Sequence, residues 1–183
     1  RDGKLLLVLG GSQGALALNE WVQQSFDELA AQGINVLCLT GPKGTNNGML
    51  ESRNAQGRVT RAVFMSFCDE MALVLSSADL VVSRAGAGSI AEIIRCRLPS
   101  ILIPYPHAAD NHQQENARFM EQQGAAIVLA QENIAGLTRE VLDALGSDWL
   151  LDKMRENLAR IDKTDTTDKM VEDLERLASG GAE

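Results

Sequence analysis

Three short segments of this chain carry residues whose types and spacing suit the handling of a phosphate or of a polyhydroxylated ligand. The first is Gly10-Gly11-Ser12-Gln13-Gly14-Ala15, which follows an apolar run and precedes a helical pattern. Glycines there let the backbone turn tightly and approach a ligand, and the unpaired N–H groups of the next helix face an anion. A strand-to-helix turn with no ligand has the same composition. Two familiar phosphate motifs do not fit. The dinucleotide fingerprint G-x-G-x-x-G needs Gly where Leu9 stands, and Leu39-Thr40-Gly41 occupies the strand end where an acidic residue belongs. No Lys-Ser/Thr pair follows the glycines, so the Walker pattern fails as well.

The second segment is Ser83-Arg84-Ala85-Gly86-Ala87-Gly88-Ser89-Ile90-Ala91-Glu92. Ser89 and Glu92 have the S-x-x-E spacing of a capping box, a wholly structural role. Glu92 also lies one turn into a helix that opens at a strand's carboxyl end, where a carboxylate can accept from two vicinal hydroxyls such as those of a ribose. Arg84, just before the glycines, can neutralise a phosphate or pair with a surface acid.

The third segment runs from Pro104 through Tyr105, Pro106, His107, Asp110, Asn111, His112, Gln113, Gln114, Glu115 and Asn116 to Ala117. Asp110 with Gln113 repeats the capping arithmetic as D-x-x-Q. A cluster of Asp, Asn, His and Gln at one helix entry is equally what recognition of sugar hydroxyls requires, because amides and carboxylates donate and accept in the geometry of neighbouring OH groups. Both histidines of the chain fall here, with no Cys or second acid at metal-ligand spacing, so no zinc site is expected. Ser12 is not in a G-x-S-x-G elbow, which leaves a Ser–His hydrolase without its nucleophile.

The elements that must position these loops follow from hydrophobic period and punctuation. Leu5-Leu6-Leu7-Val8-Leu9 suits a strand buried on both faces. A helix over residues 15–31 is closed by Gly33 in the manner of a C′ glycine, and residues 35–40 form a second strand. Residues 41–48 are a turn-rich loop, 59–65 a third strand, 69–77 a short helix and 80–82 a fourth strand. A helix over 89–97, a strand over 100–103, a helix over 111–123 and a sixth short strand over 126–129 follow. The remainder is helical in three pieces, broken near Gly146 and near Thr164, with a terminal helix and frayed tail over 164–183. The fold class is therefore α/β: a Rossmann-like, doubly wound parallel sheet of about six strands with a helical C-terminal segment. Ligands of such sheets bind beyond the carboxyl ends of the strands, and all three loops lie at such ends.

Composition narrows the partners. The 183 residues fit one domain, 45% hydrophobic and 23% charged. Aromatics make up only 4% and the net charge is −8, which argues against nucleic acid and against an anionic membrane surface as direct partners. Any bound anion must be held by local geometry against an unfavourable global field. The three cysteines, Cys38, Cys68 and Cys96, read as reduced thiols of a cytoplasmic protein, with Cys38 and Cys96 buried in apolar runs. No run of 18 apolar residues and no signal peptide is evident. The chain enters its first strand at once from Arg1-Asp2-Gly3-Lys4, without an initiator Met, which reads as a cut at an interdomain linker.

In this order and spacing the three segments resemble the C-terminal domain of the MurG family, the bacterial peptidoglycan N-acetylglucosaminyltransferases of the two-domain GT-B superfamily. The likeness runs from about Lys4 to Val128. It implies a donor domain for UDP-GlcNAc, covering residues 1–183, with an N-terminal acceptor domain absent. Ser12 with the Gly11 and Gln13 backbone would lie at the diphosphate. Phe67 and Cys68 would meet the uracil through backbone groups, with Met71 packing nearby; Cys68 stands where an apolar residue is expected. Ala87, Gly88 and Ser89 would approach the phosphates and ribose, with Arg84 close by, and Glu92 would take the ribose hydroxyls. Gln113, with His112 or Asp110, would read the GlcNAc hydroxyls. The resemblance also implies inversion at the anomeric carbon, the 4-hydroxyl of the muramyl unit of undecaprenyl-pyrophosphoryl-MurNAc-pentapeptide as acceptor, no cofactor and no metal. The general base and lipid groove would belong to the other domain, leaving no catalytic residue here, and the parent protein would sit on the inner face of the cell membrane. Another GT-B transferase, such as a glycolipid glucosyltransferase or the soluble half of a two-subunit GlcNAc-transferase, and a non-catalytic UDP-sugar-binding module are the alternatives.

Overall fold

Leucine and valine at five consecutive positions, with no polar residue to face water, place Leu5–Leu9 at the centre of the sheet, covered on both sides. The structure, a computed structural model, describes residues 3–10, 15–42, 48–53, 57–106 and 111–162. Along the chain it forms β1 (Leu5–Leu9), α1 (Leu16–Ala31), β2 (Asn35–Leu39), β3 (Gly48–Arg53), β4 (Val59–Met65), α2 (Met71–Ser77), β5 (Leu80–Ser83) and α3 (Ala87–Arg95). Then come β6 (Ser100–Leu102), α4 (His112–Gln122), β7 (Ala126–Val128), a 3-10 turn over Gln131–Gly136, α5 (Leu137–Leu145) and α6 (Asp148–Ile161).

The strands lie in the order β3-β4-β2-β1-β5-β6-β7. β1, β2, β4, β5, β6 and β7 are parallel, and β3 runs antiparallel on the edge against β4. Side chains alternate between two cores. Leu6, Val8, Leu80, Val82 and Ile101 pack with Leu18, Val22, Phe26 and Leu29 of α1 and with Leu137, Val141 and Ala144 of α5. Leu7, Leu9, Val81 and Leu102 face the other way, against Leu75 of α2, Ile90 and Ile93 of α3, and Ala117 and Met120 of α4. Each fully buried leucine or isoleucine contributes on the order of 1.5–3 kcal/mol, so the sheet is held from both sides. α6 joins the layers, with Leu151 in the first core and Leu158 in the second.

The expected doubly wound parallel sheet is observed, with one strand more than the sequence suggested. β3 was not anticipated because nearly every position on it is exposed and its apolar residues show no alternation. It is held by pairing with β4, where Glu51 lies opposite Arg61 and accepts from its Nε at 3.1 Å. The Gly33 expectation holds: at φ +72° its N–H donates to Ala30 O and that of Ile34 donates to Leu29 O, a Schellman closure of α1. The expected piece beyond Thr164 lies outside the described residues.

Candidate functional site

Parallel winding brings the carboxyl ends of β4, β1, β5 and β6 to one edge, within four strand spacings or about 19 Å. The chain winds outward from β1 through β2 to β4, then returns to place β5 on the opposite side of β1. β1 and β5 therefore flank the topological switch point, where the loops part and leave a crevice. Residues 11–14 and 107–110 border this edge in sequence, so Gly11, Ser12, Gln13 and Asp110 lie outside the described residues.

Backbone and polar side chains fix the edge. Gly10 N–H and Arg84 N–H both reach across at 3.4 Å, to Leu39 O and Leu9 O respectively. Thr40 N–H donates to Met65 O at 2.8 Å, and buried Asn19 of α1 donates from Nδ2 to Thr40 O at 3.4 Å. The Cys38 thiol donates to Asn19 Oδ1 at 3.5 Å, and burial pushes that thiol up to about 12.

Two helices open at the switch point, and neither is neutralised locally. α1 and α3 have Ala15 and Gly86 as N-caps, no side-chain cap and no acidic residue in the first turn. α4, α5 and α6 each carry an acid in theirs: Glu115, Glu140 and Asp148. The first intrahelical N–H of α3 is that of Ile90, donating to Gly86 O at 2.9 Å. The amides of Ala87, Gly88 and Ser89 have no acceptor among the described residues, and a Cβ on Gly88 would meet nothing within 4 Å. Unpaired amides at a positive helix end are an arrangement that can take a phosphate.

These facts correct the capping expectations. α3 begins at Ala87, two residues before the expected start, because Gly86 is extended at φ −67°, ψ 147°. Ser89 is thus the third residue of the helix and Glu92 the sixth, so they form no capping box. Glu92 stands exposed on the second turn. Its charge, after burial, holds the Cys96 thiol above the ordinary range. Cys96 itself is only half-buried, against the expectation of full burial. At α4 the N-cap is Asn111, left-handed at φ +55°, a conformation asparagine tolerates better than most. Gln113 Oε1 accepts Tyr105 N–H at 2.9 Å, which fixes the amide's sense and leaves Nε2 as its donor. His112 is exposed at the first position of α4.

Arg84 is 7% exposed. Its Nη1 donates to Ile103 O at 3.0 Å, Nη2 donates to Gln131 Oε1 at 2.6 Å, and the guanidinium lies 5.4 Å from the Tyr105 ring centroid. Burial lowers its pKa, partly offset by Tyr105. Phe67, just past β4, is 71% exposed, while Cys68 and Met71 are half-buried and Met71 packs on the second core. Three residues escaped the search for site groups: Asn116, whose Nδ2 donates to Ala85 O at 3.0 Å, Tyr105 and Gln131. Asn116 and Tyr105 lay within the third segment, but nothing near Gln131 in sequence signals its contact with Arg84.

Fold and loop geometry together define a doubly wound α/β domain with a crevice at the β1–β5 switch. Residues 5–174 match the glycosyltransferase family 28 C-terminal domain, and the chain belongs to that family. It is 47% identical over 174 residues to the UDP-N-acetylglucosamine–N-acetylmuramyl-(pentapeptide) pyrophosphoryl-undecaprenol N-acetylglucosamine transferase of Opitutus terrae, covering 95% of this chain and 46% of that protein. A Synechococcus protein of the same name is 42% identical over 147 residues, covering 79% of this chain and 39% of its own length. The crystal structure of Acinetobacter baumannii MurG superposes with TM-score 0.71 at 26% identity, covering 86% of this chain and 45% of that one. The kitacinnamycin glycotransferase shares the fold, with TM-score 0.68 at 17% identity over 93% of this chain and 43% of that one. The chain spans about half the length of the curated relatives it matches.

Proposed function

We propose that this chain is the donor-binding half of an inverting glycosyltransferase that carries GlcNAc from UDP-GlcNAc to the muramyl 4-hydroxyl of undecaprenyl-pyrophosphoryl-MurNAc-pentapeptide. The names of the Opitutus and Synechococcus relatives support the donor and the acceptor. The observation that carries the donor role is the uncapped amino end of α3, where the amides of Ala87, Gly88 and Ser89 have no acceptor among the described residues, with Glu92 one turn behind.

In this assignment those amides, with the Ser12 corner before α1, receive the diphosphate. As the bond to the anomeric carbon breaks, negative charge grows on the departing UDP, and preorganised N–H donors at a helix end stabilise it. That leaves no task requiring a metal or a cofactor. Glu92 accepts from the ribose hydroxyls, the backbone at Phe67 and Cys68 meets the uracil beside Met71, and Gln113 Nε2 with His112 or Asp110 reads the sugar. The general base and the lipid-acceptor groove belong to an N-terminal domain of the parent protein, which works at the inner membrane face; this chain binds donor without turnover. Among the described residues no helix is long and apolar enough to cross a membrane.

Calorimetric titration with UDP-GlcNAc, UDP-glucose and NADH tests the assignment, with Glu92→Gln and Glu92→Ala alongside. Because Glu92 caps nothing, both variants should keep their stability within about 0.5 kcal/mol. Both should weaken UDP binding by roughly 1–3 kcal/mol. Unchanged UDP affinity removes the ribose role, and tight NADH binding overturns the donor class.

A further inference from the structure

We propose that Arg84 is a positioning residue that fastens Ile103, Tyr105 and, through Tyr105, the sugar-reading Gln113 to the nucleotide corner, so that it sets preference for the sugar and leaves nucleotide affinity alone. The inference rests on the donor role assigned above and concerns the same edge.

Arg84 leaves β5 next to the α3 corner, but its side chain is spent elsewhere. One nitrogen holds the carbonyl of Ile103 as the chain leaves β6, and the other holds Gln131 at the start of the turn beyond β7. The plane between them lies near the ring of Tyr105, whose N–H fixes the Gln113 amide. A single planar group thus ties three successive strand exits together, and Gln113 at the foot of α4 is two contacts away from it. Among the described residues none of its partners is a carboxylate. A desolvated cation with only neutral partners among the described residues is a costly way to fill space, and an apolar side chain of similar volume would pack there at less expense. What only the guanidinium supplies is two donors fixed in one plane with a face for stacking, which an ammonium on a flexible stem does not reproduce. The α3 amides do not depend on this group. Their corner is built by backbone bonds from Arg84 N–H to Leu9 O and from Ile90 N–H to Gly86 O, and by Asn116 at Ala85 O.

Arg84→Lys and Gln131→Met separate the roles. Lysine keeps the positive charge near the edge and loses the fork; methionine at 131 removes one acceptor without touching the corner. UDP and UDP-GlcNAc are titrated into the 183-residue chain and both variants, each first checked by its thermal melt. UDP affinity should stay within about twofold of wild type, while UDP-GlcNAc affinity falls about tenfold in Arg84→Lys and about threefold in Gln131→Met, the scale of one or two hydrogen bonds. Equal losses for both ligands would mean that Arg84 acts on the phosphates directly, and unchanged preference would mean that it acts on neither; each result overturns the proposal. If Arg84→Lys fails to fold, Gln131→Met decides by the same comparison. A wild-type chain that binds UDP without gaining from the sugar overturns the positioning role and leaves the nucleotide assignment standing. One that binds no UDP overturns the donor assignment itself, and the proposal with it.

Discussion

Asn116 on α4 donates from Nδ2 to the backbone oxygen of Ala85 over 3.0 Å, so α4 holds the corner from which α3 starts. Ala85 is fully buried, and its carbonyl lies in the one turn separating β5 from the helix whose amino end lies bare. Asn116→Ala strips the acceptor of this partner in a buried place. The expected cost is about 1–3 kcal/mol of stability, read from urea unfolding, with UDP affinity falling in parallel as the α3 corner loosens. Asn116→Asp, which has no amide hydrogen to give, should behave no better. Retention of full stability in both variants would show the contact to be incidental.

Gly88 separates what the chain needs from what a ligand needs. It is the second residue of α3, and a methyl group there meets nothing within 4 Å among the described residues. Gly88→Ala should raise stability by about 0.5–1 kcal/mol, since alanine gives up less backbone freedom on entering a helix. With the phosphates at this helix end as proposed, an added methyl group crowds their approach, so UDP binding should fall at least about tenfold, the cost of moving a charge-assisted hydrogen bond out of range. Calorimetry beside a thermal melt reads both. A variant that is more stable and binds UDP as before would place the phosphates somewhere else.

The Cys38 thiol gives the fold an alkaline limit. Burial raises it from an ordinary 9.0 to about 12. The folded state therefore keeps its proton where the unfolded chain has lost it, and the associated stability is whole below pH 9 and lost as pH rises towards about 12. Cys38→Ala should carry a constant packing penalty and a flatter decline of stability between pH 8 and about pH 10. Parallel declines in the two proteins would assign the alkaline loss to other groups. In the native protein at neutral pH, Cys38 should resist a maleimide that labels the less buried Cys68.

Much of the architecture was written in local sequence. The unbroken apolar runs at Leu5–Leu9 and Leu80–Val82 can be buried on both faces only inside a parallel sheet, and Gly33 closes α1 where the pattern ends. β3 was not legible because its stability comes from pairing with β4, and an exposed edge strand imposes no periodicity on its side chains. The capping arithmetic at Ser89 and Glu92 failed for a related reason. Where the helix starts depends on the backbone angles at Gly86, φ −67° and ψ 147°, which residue spacing does not specify.

By itself, then, the sequence determined the sheet, the glycine corners and the identity of the groups at its carboxyl edge, since those follow from burial period, turn chemistry and motif. Only the tertiary structure decided which of those groups spend themselves on the protein. Arg84 could meet a phosphate or a surface acid and is engaged by Ile103, Gln131 and Tyr105; Gln113 could cap a helix or read a sugar, and its Oε1 serves Tyr105 N–H. The physical reason is distance along the chain. Arg84 and Gln131 are separated by 47 positions, and a hydrogen bond between such residues exists only once β5, β6 and β7 have been laid side by side.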